Sequence, residues 1–537
     1  MRSLSRYILT LFIWALTPLA TRAGGFEYTG AGAQALGRGG AVVARANHPM
    51  LLADNPAGLA ELRGTQFSVD FNLAFFDACA DLDDHYGWRV YDEEQPLELQ
   101  DPNADDARRL DIVSASELGS AEESYYVYPL DRICSDQRVA PLPQFILAMR
   151  LTERLGVGAG LIFPAVQSTG SWGGENGIIH LVENDDRPAA IRYKKYHRNI
   201  IGVFPTIGVG YRFLDQVRFG LALQWGIVGI DTSFNRTATA LKIENGSSQY
   251  PAGDYDANLV AEVHAEDFFI PSLTFSTHFV PIDALDAVIA FKWQDGFDAS
   301  GELDMTTGFF DPGLVTRQMK DLKVLEATQG MPWKFNVGVR YAYRLQPRPH
   351  GTGSDESDEA LGGPIHDALT DELWDIELDA EYQFNSLVDS LSFRIRGVEP
   401  EFEDLDGEVF ASPDTLSVFS LGGNWRDQIS LRLGGTYNLV RGVFGASAGV
   451  HYENRGLDPQ DLSQDFFWPL ERLGLHLGFI LRILRTIDAS LSYAHIFQET
   501  VREDPPESQT RDRRDPAIDG TYRSDFDIIA AGVNWHF

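Results

Sequence analysis

Residues 333–345 read WKFNVGVRYAYRL. The odd positions, Trp333, Phe335, Val337, Val339, Tyr341, Tyr343 and Leu345, are apolar, whereas the even ones, Lys334, Asn336, Gly338, Arg340, Ala342 and Arg344, are polar or small. A period of two places successive side chains on opposite faces of a β-strand. The next such segment sets Trp374, Ile376, Leu378, Ala380, Tyr382 and Phe384 against Asp375, Glu377, Asp379, Glu381, Gln383 and Asn385. Residues 217–225 and 429–439 repeat the pattern. A sandwich would waste such long polar faces, while a barrel with lipid outside and a wet lumen inside uses both.

Further strand segments fall at 65–77, 139–152, 155–166, 198–213, 267–280, 284–298, 443–453, 471–484, 486–497 and 524–537. With the first four they make about fourteen, an even number, as bacterial outer-membrane barrels require. Connections such as ERLG (153–156), FLDQV (213–217) and LVRGV (439–443) are short, and the alternate ones are long and acidic. That asymmetry predicts a periplasmic end of tight turns and an outer end of loops. Aromatic residues gather at strand ends, where interfacial girdles belong. The expected fold class is therefore all-β, a transmembrane antiparallel β-barrel. The alternative is a secreted soluble sandwich or β-helix, against which stands the bilayer-crossing length of many strands.

The N-terminus carries Arg2 and Arg6, an apolar run from Tyr7 to Leu16, and small residues at Ala20 and Ala23. This reads as a signal peptide over 1–23, with an apolar run too short to be a retained membrane helix. Lys and Arg number 44 against 78 Asp and Glu, a formal charge of -34, which argues against nucleic acid as a partner. The acids crowd into 81–123, 254–267, 355–379 and 399–408, several of which read as solvated loops. Cys79 and Cys134 are the 2 cysteines, and export favours a disulfide between them over two free thiols.

Signals for chemistry are weak. GAGAQA (30–35) matches a loose dinucleotide fingerprint, but no strand precedes it and no βαβ unit follows. His48, His180, His264 and His451 show no metal spacing, and no CxxC or HxxxH pair occurs. The expectation is a protein with no enzymatic activity, no metal and no cofactor.

Between the signal and the first strand lies GGFEYTGAGAQALGRGGAVVARANHPMLLADNPAGLAELRG, residues 24–64. Its alanines favour short helices, its glycines supply turns, and Asn55-Pro56 stops whatever helix precedes it. Small residues allow close packing inside a narrow lumen, so a plug is expected here rather than a disordered tail. This segment, with Asn55, Pro56 and Ala57, resembles the N-terminal hatch of FadL-type outer-membrane transporters for long-chain fatty acids and other hydrophobic compounds. DQISLRLGGTYNLVRGVFGASAGVHYENR (427–455) and GTYRSDFDIIAAGVNWHF (520–537) are similar to the same family, and the terminal Phe537 resembles the assembly signal of outer-membrane barrels.

The resemblance implies a hatch over 24–64 and a barrel over 65–537 with long acidic extracellular loops, in the outer membrane of a Gram-negative cell. It implies passive uptake, with hydrophobic substrate leaving sideways through a wall opening at the third strand, beside the Asn-Pro-Ala turn. That strand here is LGVGAGLIFPAV, 155–166. Gly156, Gly158 and Gly160 leave little bulk, and Pro164 has no donor for the ladder. A break in the wall and tight packing against the plug both fit that composition. Phe26, near the freed N-terminus, is a candidate pocket residue for a moving hatch. A carboxylate head needs a cation, for which inward Arg212, Lys292, Arg340 and Arg432 are candidates, although a structural ion pair is the favoured reading of any single one, as for Arg340 with the acidic face at 375–381. Expected partners are hydrophobic small molecules, outer-membrane lipid and lipopolysaccharide, and the barrel assembly machinery, around a monomer. Two rival functions are a general porin for hydrophilic solutes and a surface-binding or adhesion barrel.

Overall fold

The computed structural model describes residues 32–537 apart from residue 63 and stretches of the connections, chiefly within 83–138, 164–196, 238–257, 308–323, 347–366, 389–424, 457–469 and 504–519. Phe26, Pro164 and the expected signal peptide lie outside the described residues.

The alternating segments form the wall. Its strands are β1 (Thr65–Leu82), β2 (Val139–Arg150), β3 (Leu155–Ile162), β4 (His197–Leu214), β5 (Val217–Thr237), β6 (Asn258–Ile282) and β7 (Leu285–Gln294). They continue as β8 (Lys334–Arg344), β9 (Glu372–Gln383), β10 (Gln428–Val440), β11 (Phe444–Glu453), β12 (Arg472–Leu484), β13 (Ile487–Gln498) and β14 (Gly520–His536). Each pairs antiparallel with its sequence neighbour, and β14 returns to β1 from Gln66↔His536 to Leu82↔Gly520, closing a 14-strand barrel. Closure leaves no edge strand to satisfy.

Polarity is inverted relative to a soluble protein. On β12, Leu477 is 57 % exposed on the outer face while its neighbour His476, turned inward, is 2 % exposed. An outer face of Leu, Phe, Tyr and Ile suits hydrocarbon. Aromatic pairs mark both rims of this band, Tyr343–Trp374 and Phe67–Trp535 stacked at one end and Phe291–Trp333 and Tyr382–Phe384 edge-on toward the other. Among the described residues no helix is long and apolar enough to cross a membrane.

Turns at 151–154, 215–216, 283–284, 441–443 and 485–486 lie at one end of the barrel, as expected. One connection at that end, 345–371, is long and finishes in the short helix α1 (Ala368–Asp371). It is tied across the rim by Asn438 Nδ2 to Ala368 O (2.7 Å) and by Arg482 to Asp367. At the opposite end Cys79 and Cys134 are joined (S–S 2.05 Å), tying the returning segment Ile133–Cys134 to the end of β1.

The wall is uneven at β3. β2 pairs with β1 from Val139 to Met149, yet among the described residues its ladder with β3 covers Phe145–Arg150 alone. β4 pairs with β3 up to Phe204↔Ile162 and resumes at Ile200↔Ser168 on a separate segment, Ser168–Ser171. Among the described residues, 201–203 of β4 thus have no ladder partner on that side. Inside the barrel, residues 32–62 fold as a helical turn (Ala33–Leu36) and two 3₁₀ turns (Pro49–Leu52, Pro56–Glu61).

Candidate functional site

The site is the contact between this internal segment and the wall. Pro56 opens the second 3₁₀ turn, where its fixed φ fits and its missing N–H is not needed. Asn55 is fully buried, and its Nδ2 donates to Val43 O (2.8 Å), binding the two halves of the plug together. Ala57 N donates to Ser276 Oγ on β6 (2.8 Å). Pro56, Ala57 and Asn55 thus hold one turn against β3, β4, β5 and β6.

Glycine permits that approach. A Cβ on Gly156 would run into the carbonyl of Leu59, and one on Gly220 of β5 into the backbone at Pro56-Ala57. A Cβ on Gly158 would also meet the plug, 3.1 Å from Leu59 Cδ2, whereas one on Gly160 would meet Phe145 and Ile146 of β2. Gly156 and Gly158 thus allow close packing against the plug, and the described ladder between β2 and β3 ends at Leu161. Beside them Met50, Leu51, Leu52, Leu59 and Leu62 pack with Ile146, Ala148, Ile162 and Ala222 into an apolar cluster.

The other half of the plug meets a charged wall. β9 turns Asp375, Glu377, Asp379 and Glu381 inward, all buried. Arg38, also fully buried, donates to Asp375 Oδ1 (2.6 Å), Glu377 Oε2 (3.2 Å) and Thr436 Oγ1 (2.6 Å). Arg45 reaches Asp375 Oδ2 (2.8 Å). The amides of Val42 and Val43 donate to Asp379 Oδ2 at 2.9 and 3.0 Å, and that of Ala44 to Glu377 Oε1 at 2.6 Å. The acidic strand face expected over 375–381 is, from Asp375 to Asp379, a docking strip for the plug.

Three of the four candidate head-group cations are engaged in ion pairs. Arg212 and Arg218 both bind Glu61 of the plug, at 3.1 and 2.6 Å. Arg340 binds Glu372, Asp375 (2.9 Å) and Asp286 (3.4 Å), its pairing with Asp375 being the acidic-face arrangement open to it from sequence. Arg432 binds Glu381 (3.2 Å) and Glu453 (3.9 Å). Lys292 lies opposite Lys334 in the β7–β8 ladder, with contacts of its own. Sequence reasoning missed Arg38, Glu61 and Gly220; the signal available was two glycines flanking Arg38 and a glycine at an inward position of β5.

One arrangement resembles a nucleophilic relay without being arranged as one. Ser68 Oγ lies 3.3 Å from His48 Nε2 and donates to Asp70 Oδ2 at 2.8 Å. His48 Nδ1 accepts from Met50 N (3.3 Å), so Nε2 carries the proton and cannot take one from Ser68. Burial pushes the His48 imidazole below its usual range, with Asp70 opposing, and draws Arg45 down to about 10. Burial raises Asp54, with Glu381 adding to it. His48 caps the Pro49–Leu52 turn, Arg45 holds Asp375 of the wall, and Asp70 Oδ1 also accepts from Ala33 N (2.7 Å). Asp77, Cys79 and Cys134 are the single three-residue group of metal-ligand type among the described residues, and both sulfurs are in the disulfide. Two small clefts share Gln34, Arg45 and Asn47: one lies within the plug, beside His48, Leu51 and Asn55, and the other between the plug and the short-turn rim, beside Asp367, Arg482 and His536.

No family model matches the chain. No curated protein matches it in sequence. Its fold has solved counterparts. The crystal structure of a Pseudomonas aeruginosa FadL homologue superposes with a TM-score of 0.64 over 96% of this chain and 100% of that one, at 14% identity. The P. putida toluene transporter TodX gives 0.53 over 96% and 99%, at 13% identity, and the Ralstonia pickettii toluene transporter TbuX 0.52 over 95% and 100%, at 12%. The chain carries the fold of the FadL-type transport channels, a closed antiparallel barrel with its N-terminal segment packed inside.

Proposed function

We propose that this protein is an outer-membrane channel for passive uptake of hydrophobic compounds, which leave through the wall beside β3. The observation that carries the reading is the pairing of an apolar cluster, shared by the plug and β2, β3 and β5, with an uneven ladder at the end of β3. A solute of long hydrocarbon gains about 0.8 kcal/mol for each methylene kept from water, so a side exit into lipid avoids returning that surface to solvent. The FadL homologue and the toluene transporters support a hydrophobic cargo by analogy of fold. The orientation follows: short turns in the periplasm, long acidic loops and the disulfide outside. Movement of the plug about Asn55-Pro56-Ala57, with Phe26 at its free end, supplies the gate.

The test is uptake of a radiolabelled hydrophobic probe by cells producing Gly158→Trp or the paired Asn55→Ala, Pro56→Ala variant. Both are expected to import several-fold more slowly than wild type while keeping a heat-modifiable barrel. Wild-type uptake in both variants would sink the side exit.

A further inference from the structure

Resting on the reading of hydrophobic uptake, we infer that the lumen selects an uncharged hydrophobic compound bearing a hydroxyl or N–H group, in preference to a carboxylate. On the long-loop side of the plug contacts, the inner faces of β6 to β10 carry Ser272, Gln294, Asn336, Gln383 and Gln428, with Asn385 just past β9. All are at least nine-tenths buried. The ladder makes them neighbours, with Ser272 opposite Gln294 and Gln383 opposite Gln428.

Each leaves hydrogen-bonding atoms without a partner: Ser272 Oγ, Gln294 Nε2, Asn336 Oδ1, Gln383 Oε1, Gln428 Oε1, and both Nδ2 and Oδ1 of Asn385. Buried polar groups are almost always paired, and an unpaired one costs about 1–3 kcal/mol. These six side chains, five on adjoining strands and Asn385 beside them, hold hydrogen-bonding capacity that the described protein leaves unused.

Neighbouring carboxylates fix which end of two amides is presented. Gln383 Nε2 donates to Glu381 Oε1 (2.5 Å) and Gln428 Nε2 to Glu453 Oε2 (3.4 Å). A carboxylate accepts only, so the NH₂ must point to it and the carbonyl away. The band therefore offers more acceptors than donors. A hydroxyl or N–H satisfies acceptors, whereas a ligand carboxylate has no proton for them and meets Glu381 and Glu453 at close quarters. The arginines of this level are held by the same acids, Arg432 by Glu381 and Arg472 by Glu453. The competing arrangement seats a carboxylate against Lys292 and Lys334, and it demands the opposite order of affinities.

The test uses the full-length protein in detergent at pH 8, with 1-dodecanol, dodecanoate and dodecane displacing bound 1-aminoanthracene. Dodecanol is expected to bind about tenfold more tightly than dodecanoate, and the Gln383→Leu, Gln428→Leu double variant to reduce affinity for dodecanol about tenfold more than for dodecane. Dodecanoate binding as tightly as dodecanol, or more so, overturns the inference while leaving hydrophobic uptake standing. Displacement by none of the three overturns the uptake reading itself. The ligand order in the wild-type protein decides the matter even if the double variant does not fold.

Discussion

Arg38 contributes nothing to the wall and nothing visible to a ligand, yet its guanidinium lies at the centre of the plug's attachment, donating to Asp375, Glu377, Thr436 and its own Ala41 carbonyl. Removing one partner of a buried ion pair costs about 3–5 kcal/mol; here Asp375 keeps Arg45 and Arg340, and Glu377 loses the guanidinium that pairs with it. Arg38→Ala is therefore expected to release the plug: residues 32–62 become sensitive to protease in outer-membrane preparations, while the barrel still shifts in mobility on heating. Continued protection of that segment would show that the lock lies elsewhere. Arg38→Lys should rescue poorly, since an ammonium cannot span two carboxylates and a hydroxyl as the planar fork does. The sequence made Arg340 legible as a partner for the acids of the neighbouring strand, because both lie on predicted strands of known phase. It did not reveal Arg38, whose partners are brought together only when a plug of irregular backbone is placed inside a closed wall.

Elements were legible where their two faces meet different media. β8, β9, β10 and β12 alternate cleanly because exposed apolar side chains lie on one face and buried polar groups on the other. β6 extends to Asn258, well before the expected start at 267, because its outward residues there include His264 and Glu266 and the contrast with lipid-facing side chains disappears. The plug's turns were legible at Asn55-Pro56 through proline chemistry, but their resting place depended on glycines in strands far along the chain. Two of those glycines provide a contrast. A Cβ at Gly156 collides with Leu59 of the plug, while at Gly229 it meets nothing within 4 Å. Gly156→Ala should displace the Pro56–Glu61 turn and lower uptake of a hydrophobic probe several-fold, and Gly229→Ala should match wild type. Equal uptake by the two would remove the turn from the transport route.

At the scale of the molecule, the plug lies inside the wall and is held there by the charged strip. Among the described residues, two small clefts are lined in common by Gln34, Arg45 and Asn47. In a planar bilayer the intact protein should show low steady conductance, and deletion of residues 24–62 should raise it several-fold; a large, steady current from the intact protein would instead favour a porin for hydrophilic solutes. The closing contact also fastens the plug. Thr65 and Phe537 exchange backbone hydrogen bonds, Thr65 N to Phe537 O (3.4 Å) and Phe537 N to Thr65 O (2.8 Å). Glu61 ends the plug's last turn and Thr65 opens the first stave, so the plug hangs from the seam on which the cylinder shuts.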